Sequence, residues 1–234
     1  MIISMGNFNI VLYGDSNTYG YNPFGDRFNN RYGNVLKRKL GNNYNVYEEG
    51  VVGRTTIYDD LREGKKGIET VSKDLSKYKK IDLLVIMLGT NDFKIKNARL
   101  SSELEKGIQM LINKIKELNN ISKILLISPV LLDENIEKLD SDFDHNSYIL
   151  SKCASVIYES IATKNDLLFF DAKLVAFVGE DGEHLTEESH ISLGNALANF
   201  IIHNIKNQLC DTCSINATNF NFRLQNIDLL HILW

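Results

Sequence analysis

Four short blocks of the chain hold side chains suited to acyl chemistry. They are Gly14-Asp15-Ser16, Gly53 within Glu48-Glu49-Gly50-Val51-Val52-Gly53-Arg54-Thr55-Thr56, Gly89-Thr90-Asn91-Asp92, and Asp181-Gly182-Glu183-His184. A serine hydroxyl attacks a carbonyl carbon when a base takes its proton, and histidine is the commonest such base. Of the five histidines, His145 and His203 read as helix-surface or helix-start positions, and His231 sits in a C-terminal stretch of uncertain structure. His190 reads as an N-terminal residue of the last helix. His184 remains, in a polar, glycine-containing loop three residues after Asp181. In a turn or a first helical turn that spacing puts both side chains on one face, where the carboxylate holds one ring nitrogen and leaves the other for Ser16. The backbone N–H groups of Ser16 and Gly53 and the amide of Asn91 are candidate donors to a developing oxyanion. Losing one such donor costs about 2.7–4 kcal/mol of barrier. Taken singly, each block also reads as an ordinary turn, since Gly, Asp, Asn and Ser all have backbone reasons to be there. Taken together, in this order, they argue for a site.

The elements that must carry these blocks are legible as alternating runs. Apolar stretches at residues 10–13, 44–47, 83–88, 124–127 and 167–170 suit buried parallel strands. Helical spacing appears at 34–40, 67–78, 102–119, 146–164 and 189–208. Ser102 and Glu105 have the spacing of a capping box for the third of these. Strands alternating with helices imply an α/β fold of three layers, α/β/α, because right-handed crossovers place helices on both faces of a parallel sheet. The expected sheet is five-stranded and flavodoxin-like, in the order 2-1-3-4-5. In that order the first three strands are neighbours, so the loops after them converge on one edge.

Bulk properties narrow the classes. With 234 residues, 44% hydrophobic and 24% charged, the chain has the composition of an ordinary globular domain. A formal net charge of −4 argues against a nucleic-acid or anionic-membrane surface. Neither a signal peptide nor a membrane span is evident, and three cysteines make no disulfide framework, so a cytoplasmic location is expected. No Gly-x-x-x-x-Gly-Lys-Ser/Thr loop is present for phosphate binding. Residues 210–234 break the alternation and read as an extension beyond a domain over 1–209. Its lone Cys210-x-x-Cys213 pair and isolated His231 make a poor zinc motif, so no metal and no cofactor is expected.

With the four blocks in this order, the sequence resembles the SGNH hydrolases, also called the GDSL esterase/lipase family. The resemblance implies Ser16 as nucleophile, His184 as general base, Asp181 as its partner, and an oxyanion hole of Ser16, Gly53 and Asn91. Gly-Asp-Ser-Asn-Thr-Tyr-Gly, Glu-Glu-Gly-x-x-Gly-Arg-Thr-Thr and Met-Leu-Gly-Thr-Asn-Asp are similar to the arylesterase/acyltransferase-like branch, which acts mostly on short acyl esters. One departure is Asn17, where the family name expects leucine. The implied function is hydrolysis of short-chain, acetyl-type esters, with a carbohydrate O-acetyl esterase as first alternative and a lysophospholipase or thioesterase as second. Tyr19, Tyr21, Arg54 and Phe93 are candidates to line the substrate pocket, with core packing, or pairing of Arg54 with Glu48 or Glu49, as the competing readings. Residues 21–31 are long enough to form a flap. A flavodoxin-like binding module without chemistry, and an assembly protein using the extension as a homo-oligomer contact, are the rival classes.

Overall fold

The five apolar runs pair into one parallel sheet in the order β2-β1-β3-β4-β5. Its strands are β1 (Phe8–Gly14), β2 (Tyr44–Gly50), β3 (Leu83–Met87), β4 (Ile124–Ile127) and β5 (Leu168–Phe170). The computed structural model describes residues 7–59 and 64–211. Register decides where the chemistry falls. Gly14 is the Cα partner of Gly50 on one side and of Met87 on the other. Three strands therefore end at one level, and the loops bearing Ser16, Gly53 and Asn91 leave the sheet side by side.

Both faces of the sheet are covered, which is why its central strands read as unbroken apolar runs instead of alternating ones. On one face Val11, Tyr13, Leu84, Ile86 and Leu126 form a core with residues of α3 (Gly67–Ser76), α4 (Ser101–Lys116) and α6 (His145–Asn165). On the other, Leu12 meets α2 (Tyr32–Leu40) so closely that a Cβ on Gly33 would sit 3.0 Å from its Cδ1. The first turns of α7 (Glu187–Asp211) reach α2 as well, where a Cβ on Gly194 would lie 2.6 Å from Val35 Cβ.

Helix starts differ in detail from the sequence reading. α4 begins at Ser101, and Glu103, not Glu105, turns back to accept the N–H groups of Arg99 and Leu100. Leu100 offers no acceptor, so the Ser102/Glu105 box is replaced by half a box two residues earlier. α6 carries the full device. Asp144 accepts from the Ser147 N–H while Ser147 Oγ accepts from the Asp144 N–H. Two single-turn helices, α1 (Ser16–Tyr19) and α5 (Ile136–Leu139), are too short to show a helical period in sequence.

The chain divides into two units, Met1–Asn199 and Phe200–Trp234. The first holds the sheet, α1 to α6 and the start of α7; the described part of the second is the remainder of α7. From residue 212 onward, the extension with Cys213, His231 and Trp234 lies outside the described residues. Among the described residues, no helix is long and apolar enough to cross a membrane.

Gly50 shows how tightly α1 is seated. A Cβ there would stand 2.2 Å from the Tyr19 nitrogen and 2.6 Å from the Thr18 carbonyl carbon, both backbone atoms. Backbone cannot step aside as a side-chain tip can. Gly50→Ala is expected to cost about 1–3 kcal/mol of stability. It should also displace the turn that begins with Ser16. Chemical denaturation and ester turnover on the same sample check it; a variant with wild-type stability and rate would contradict this packing.

Candidate active site

Ser16 is the first residue of α1, directly beyond the tip of β1. Asp15 caps that turn by accepting the Asn17 N–H at 3.0 Å, and the Tyr19 N–H returns to the Asp15 carbonyl at 2.9 Å. At the first helical position the Ser16 N–H has no intrahelical acceptor. Thr18 Oγ1, hydrogen-bonded with the Tyr32 hydroxyl at 2.9 Å, anchors the turn below. Ser16 is buried, 1% exposed, so its hydroxyl faces a defined environment and not bulk water.

That environment includes His184. Its Nε2 lies 2.9 Å from Ser16 Oγ, and its Nδ1 lies 2.8 Å from Asp181 Oδ2. The spacing of three residues works because the segment is a tight turn. Asp181 Oδ1 accepts the N–H groups of Glu183 at 3.2 Å and of His184 at 3.0 Å, while the Gly179 N–H donates to the His184 carbonyl at 2.7 Å. Burial opposes ionisation of Asp181, but its bonds from the His184 ring and from the backbone outweigh it and hold the carboxyl below the usual range. For His184, burial opposes protonation. The Asp181 hydrogen bond and the charges of Glu183, Asp181 and Asp15 override it and raise the imidazole above its ordinary value.

Asn17 joins the two loops. Its Nδ2 donates to the Glu183 carbonyl at 3.1 Å, and its Oδ1 accepts the Leu185 N–H at 2.8 Å. One amide thus grips the chain on both sides of His184. In sequence this residue stands out only as a departure from leucine. The available signal was chemical: an amide has both a donor and an acceptor, which leucine lacks.

The other two loops are laced to the first. The Arg54 N–H donates to the Val51 carbonyl at 3.0 Å, closing a turn whose third residue is Gly53 at φ +80°. That left-handed region favours glycine. Asn91 Nδ2 donates to the Arg54 carbonyl at 3.1 Å, and the Asp92 carboxylate accepts the Thr56 N–H at 2.9 Å as well as the Thr56 hydroxyl. Burial pushes the Asp92 carboxyl up to about 7, against the pull of those Thr56 bonds.

Arg54 is engaged by bonds within the protein. It is 1% exposed, its Nη1 donates to the Gly14 carbonyl at 3.1 Å and to the Glu49 carbonyl at 2.5 Å, and its Nη2 pairs with Asp74 at 2.8 Å. The guanidinium also stacks on Tyr13, 4.0 Å from the ring centroid. Bonds to a charged group are worth about 1.5–3 kcal/mol each, so Arg54 fastens the second loop to the end of β1. Phe93 is fully buried in the core on the α4 face.

Tyr21 packs on His184, with ring centroids 4.3 Å apart. Tyr19 lies beneath Arg27, whose guanidinium carbon is 4.2 Å from the ring centroid. Residues 21–31 fold back on themselves: the Phe28 N–H reaches the Gly20 carbonyl at 2.8 Å, and Arg27 and Arg31 both pair with Glu48. The loop tip exposes Phe24, 80% accessible, and with Pro23, Phe28, Asp181, His184 and Leu185 it borders a cavity of about 270 Å³. His190, in the first turn of α7, is fully buried. Burial and the charges of Arg31 and His184 push it down to about 3, and its Nδ1 accepts the Tyr32 N–H at 3.3 Å.

The structure therefore brings Ser16, His184, Asp181, Gly53 and Asn91 to one sheet edge and leaves Arg54 and Phe93 in packing roles. A serine hydroxyl, an imidazole, a carboxylate and amide groups in one place suit acyl transfer. Comparison with known proteins gives the same direction. The GDSL-like lipase/acylhydrolase family matches residues 12–190. A carbohydrate acetylesterase family member from Sinorhizobium meliloti is similar in structure, with 30% identity, a TM-score of 0.78, and 85% of this chain and 99% of that chain covered. The aryl esterase of M. smegmatis is similar with 29% identity, a TM-score of 0.76, and coverage of 84% and 99%. No curated protein matches the sequence. A match over most of the chain, on a fold that carries these residues together, means that the chain belongs to the GDSL-like lipase/acylhydrolase (SGNH hydrolase) family and is a carboxylic ester hydrolase.

Proposed function

We propose that the chain is a serine esterase that cleaves short-chain, acetyl-type esters through an acyl-enzyme. The observation that carries this reading is the unbroken line Ser16 Oγ–His184–Asp181, at 2.9 and 2.8 Å. Ser16 Oγ adds to the ester carbonyl as its proton passes to His184 Nε2, and Asp181 stabilises the resulting imidazolium. The oxyanion takes hydrogen bonds from the Ser16 and Gly53 N–H groups and from Asn91 Nδ2. Collapse expels the alcohol, protonated by His184. Water then enters, gives its proton to the same nitrogen, and releases the acid as Ser16 regains its hydrogen. No step calls for a metal or cofactor.

The short acyl preference is supported by one named neighbour, a carbohydrate acetylesterase family member. The acetylesterase also favours a second reading, in which the alcohol is a carbohydrate hydroxyl. Hydrolysis of 4-nitrophenyl esters of increasing acyl length tests the preference. The expected kcat/KM is highest for acetate and roughly tenfold or more lower for octanoate, given how strongly pockets discriminate by methylene. A maximum at long chains would turn the assignment towards a lysophospholipase or thioesterase. Release of acetate from acetylated oligosaccharides, compared with acetylated small alcohols, separates the two short-chain readings.

A further inference from the structure

Two carboxylates, not one, face Nδ1 of His184. Asp181 Oδ2 is 2.8 Å away and Glu183 Oε1 is 3.8 Å away. The Glu183 side chain is 12% exposed, and the main chain that carries it is held by Asn17 through the Glu183 carbonyl. A charge at that depth acts on its neighbour more strongly than one in water. The charged groups acting on Glu183 are His184, Lys94, Asp140 and Asp181; those acting on His184 are Glu183, Asp181 and Asp15. Lys94 is itself paired with Asp142 at 2.8 Å, which leaves the imidazole as the cation Glu183 is best placed to serve.

We propose that Glu183 is a second acidic partner of His184, a positioning residue that stabilises the imidazolium and takes over the Nδ1 contact when Asp181 is removed. The proposal rests on the reading of Ser16, His184 and Asp181 as a triad. Asp181 keeps the shorter bond and sets the ring's tautomer. A small rotation of the Glu183 side chain closes the remaining gap once the Asp181 carboxylate is gone. Burial pushes the Glu183 carboxyl up to about 7, so the support it lends grows as the pH rises through neutrality.

The sign for pH dependence follows. A neighbouring negative charge favours the protonated ring, and the ring must be neutral to act as base. Removing that charge by Glu183→Gln lowers the His184 pKa and moves the acid limb of kcat/KM to lower pH, with the largest difference near neutrality, where Glu183 is ionised. A merely structural Glu183 would not move it.

The test measures acetyl ester hydrolysis across pH for wild type, Ser16→Ala, Glu183→Gln, Asp181→Ala and the double variant Asp181→Ala/Glu183→Gln, with thermal melts as a folding control. Asp181→Ala should lower kcat strongly but leave measurable residual hydrolysis, and adding Glu183→Gln should cost about tenfold more of that residual activity, a coupling of the size seen between groups in contact. That extra factor should exceed the effect of Glu183→Gln alone. Equal factors in both backgrounds, with an unmoved acid limb, would overturn the proposal while leaving the triad intact. Undiminished activity in Ser16→Ala would instead overturn the triad reading, and this proposal with it. Should Asp181→Ala not fold, Asp181→Ser and the acid limb of Glu183→Gln carry the same comparison.

Discussion

Ser16→Ala is expected to remove ester hydrolysis, lowering kcat by about 10⁴-fold or more, with melting temperature little changed. The size follows from the role. In the proposed mechanism Ser16 Oγ carries the acyl group between the two half-reactions, and oxyanion donors without it can accelerate only direct attack by water. The stability expectation follows from local packing. Ser16 Oγ is hydrogen-bonded to His184 Nε2, and the turn that carries the residue is held by Asp15, Thr18 and the Gly50 contact, none of which involves the hydroxyl. Steady-state kinetics on a chromogenic acetyl ester, beside a thermal melt, check both halves. Equal rates in the two proteins would place the chemistry elsewhere and return the cleft to the binding-module reading.

Asn91→Ala is expected to lower kcat by about 10²–10³-fold while KM changes little, because the lost interaction forms only as charge builds on the carbonyl oxygen. The side-chain amide has two N–H donors. One is engaged with the Arg54 carbonyl at 3.1 Å, which fixes the direction of the other. The substitution therefore also leaves that carbonyl without its bond, at a stability cost of about 1–3 kcal/mol. A melt separates the two effects. A variant that loses stability but keeps kcat would make Asn91 only the staple between the second and third loops.

Much of this was open to reading from the chain because the sheet's inner strands are covered on both faces. Ile10 to Tyr13, Leu83 to Leu88 and Ile124 to Ile127 are continuous apolar runs, and each lies in or at the end of a strand. Catalytic candidates were legible for a related reason: Ser16 and Asn91 sit just past the ends of β1 and β3, where a polar cluster interrupts an apolar run, and the Asp181-x-x-His184 turn is a polar stretch between β5 and α7. Partnerships between loops were not. Whether Arg54 reaches a substrate or the carbonyls of Gly14 and Glu49 depends on contacts between separate loops, which no local pattern encodes. Phe93 next to Asn91 looked like a pocket wall and is core, because the single 3-10 turn that follows Gly89 rotates it inward. Asn17 and Glu183 escaped for the opposite reason. Each acts across 166 or more residues of sequence or against a ring already assigned a partner, so neither forms a motif.

The central claim is that Ser16 carries the acyl group. The most direct measurement is active-site labelling with an organophosphonofluoridate, followed by intact-mass and peptide mass spectrometry, with residual esterase activity read in parallel. The expected result is one phosphonyl group per chain, located on Ser16, with activity falling in step with labelling and no labelling in His184→Ala. Full labelling of Ser16 with undiminished hydrolysis, or a label on another residue that tracks the loss of activity, would contradict the account.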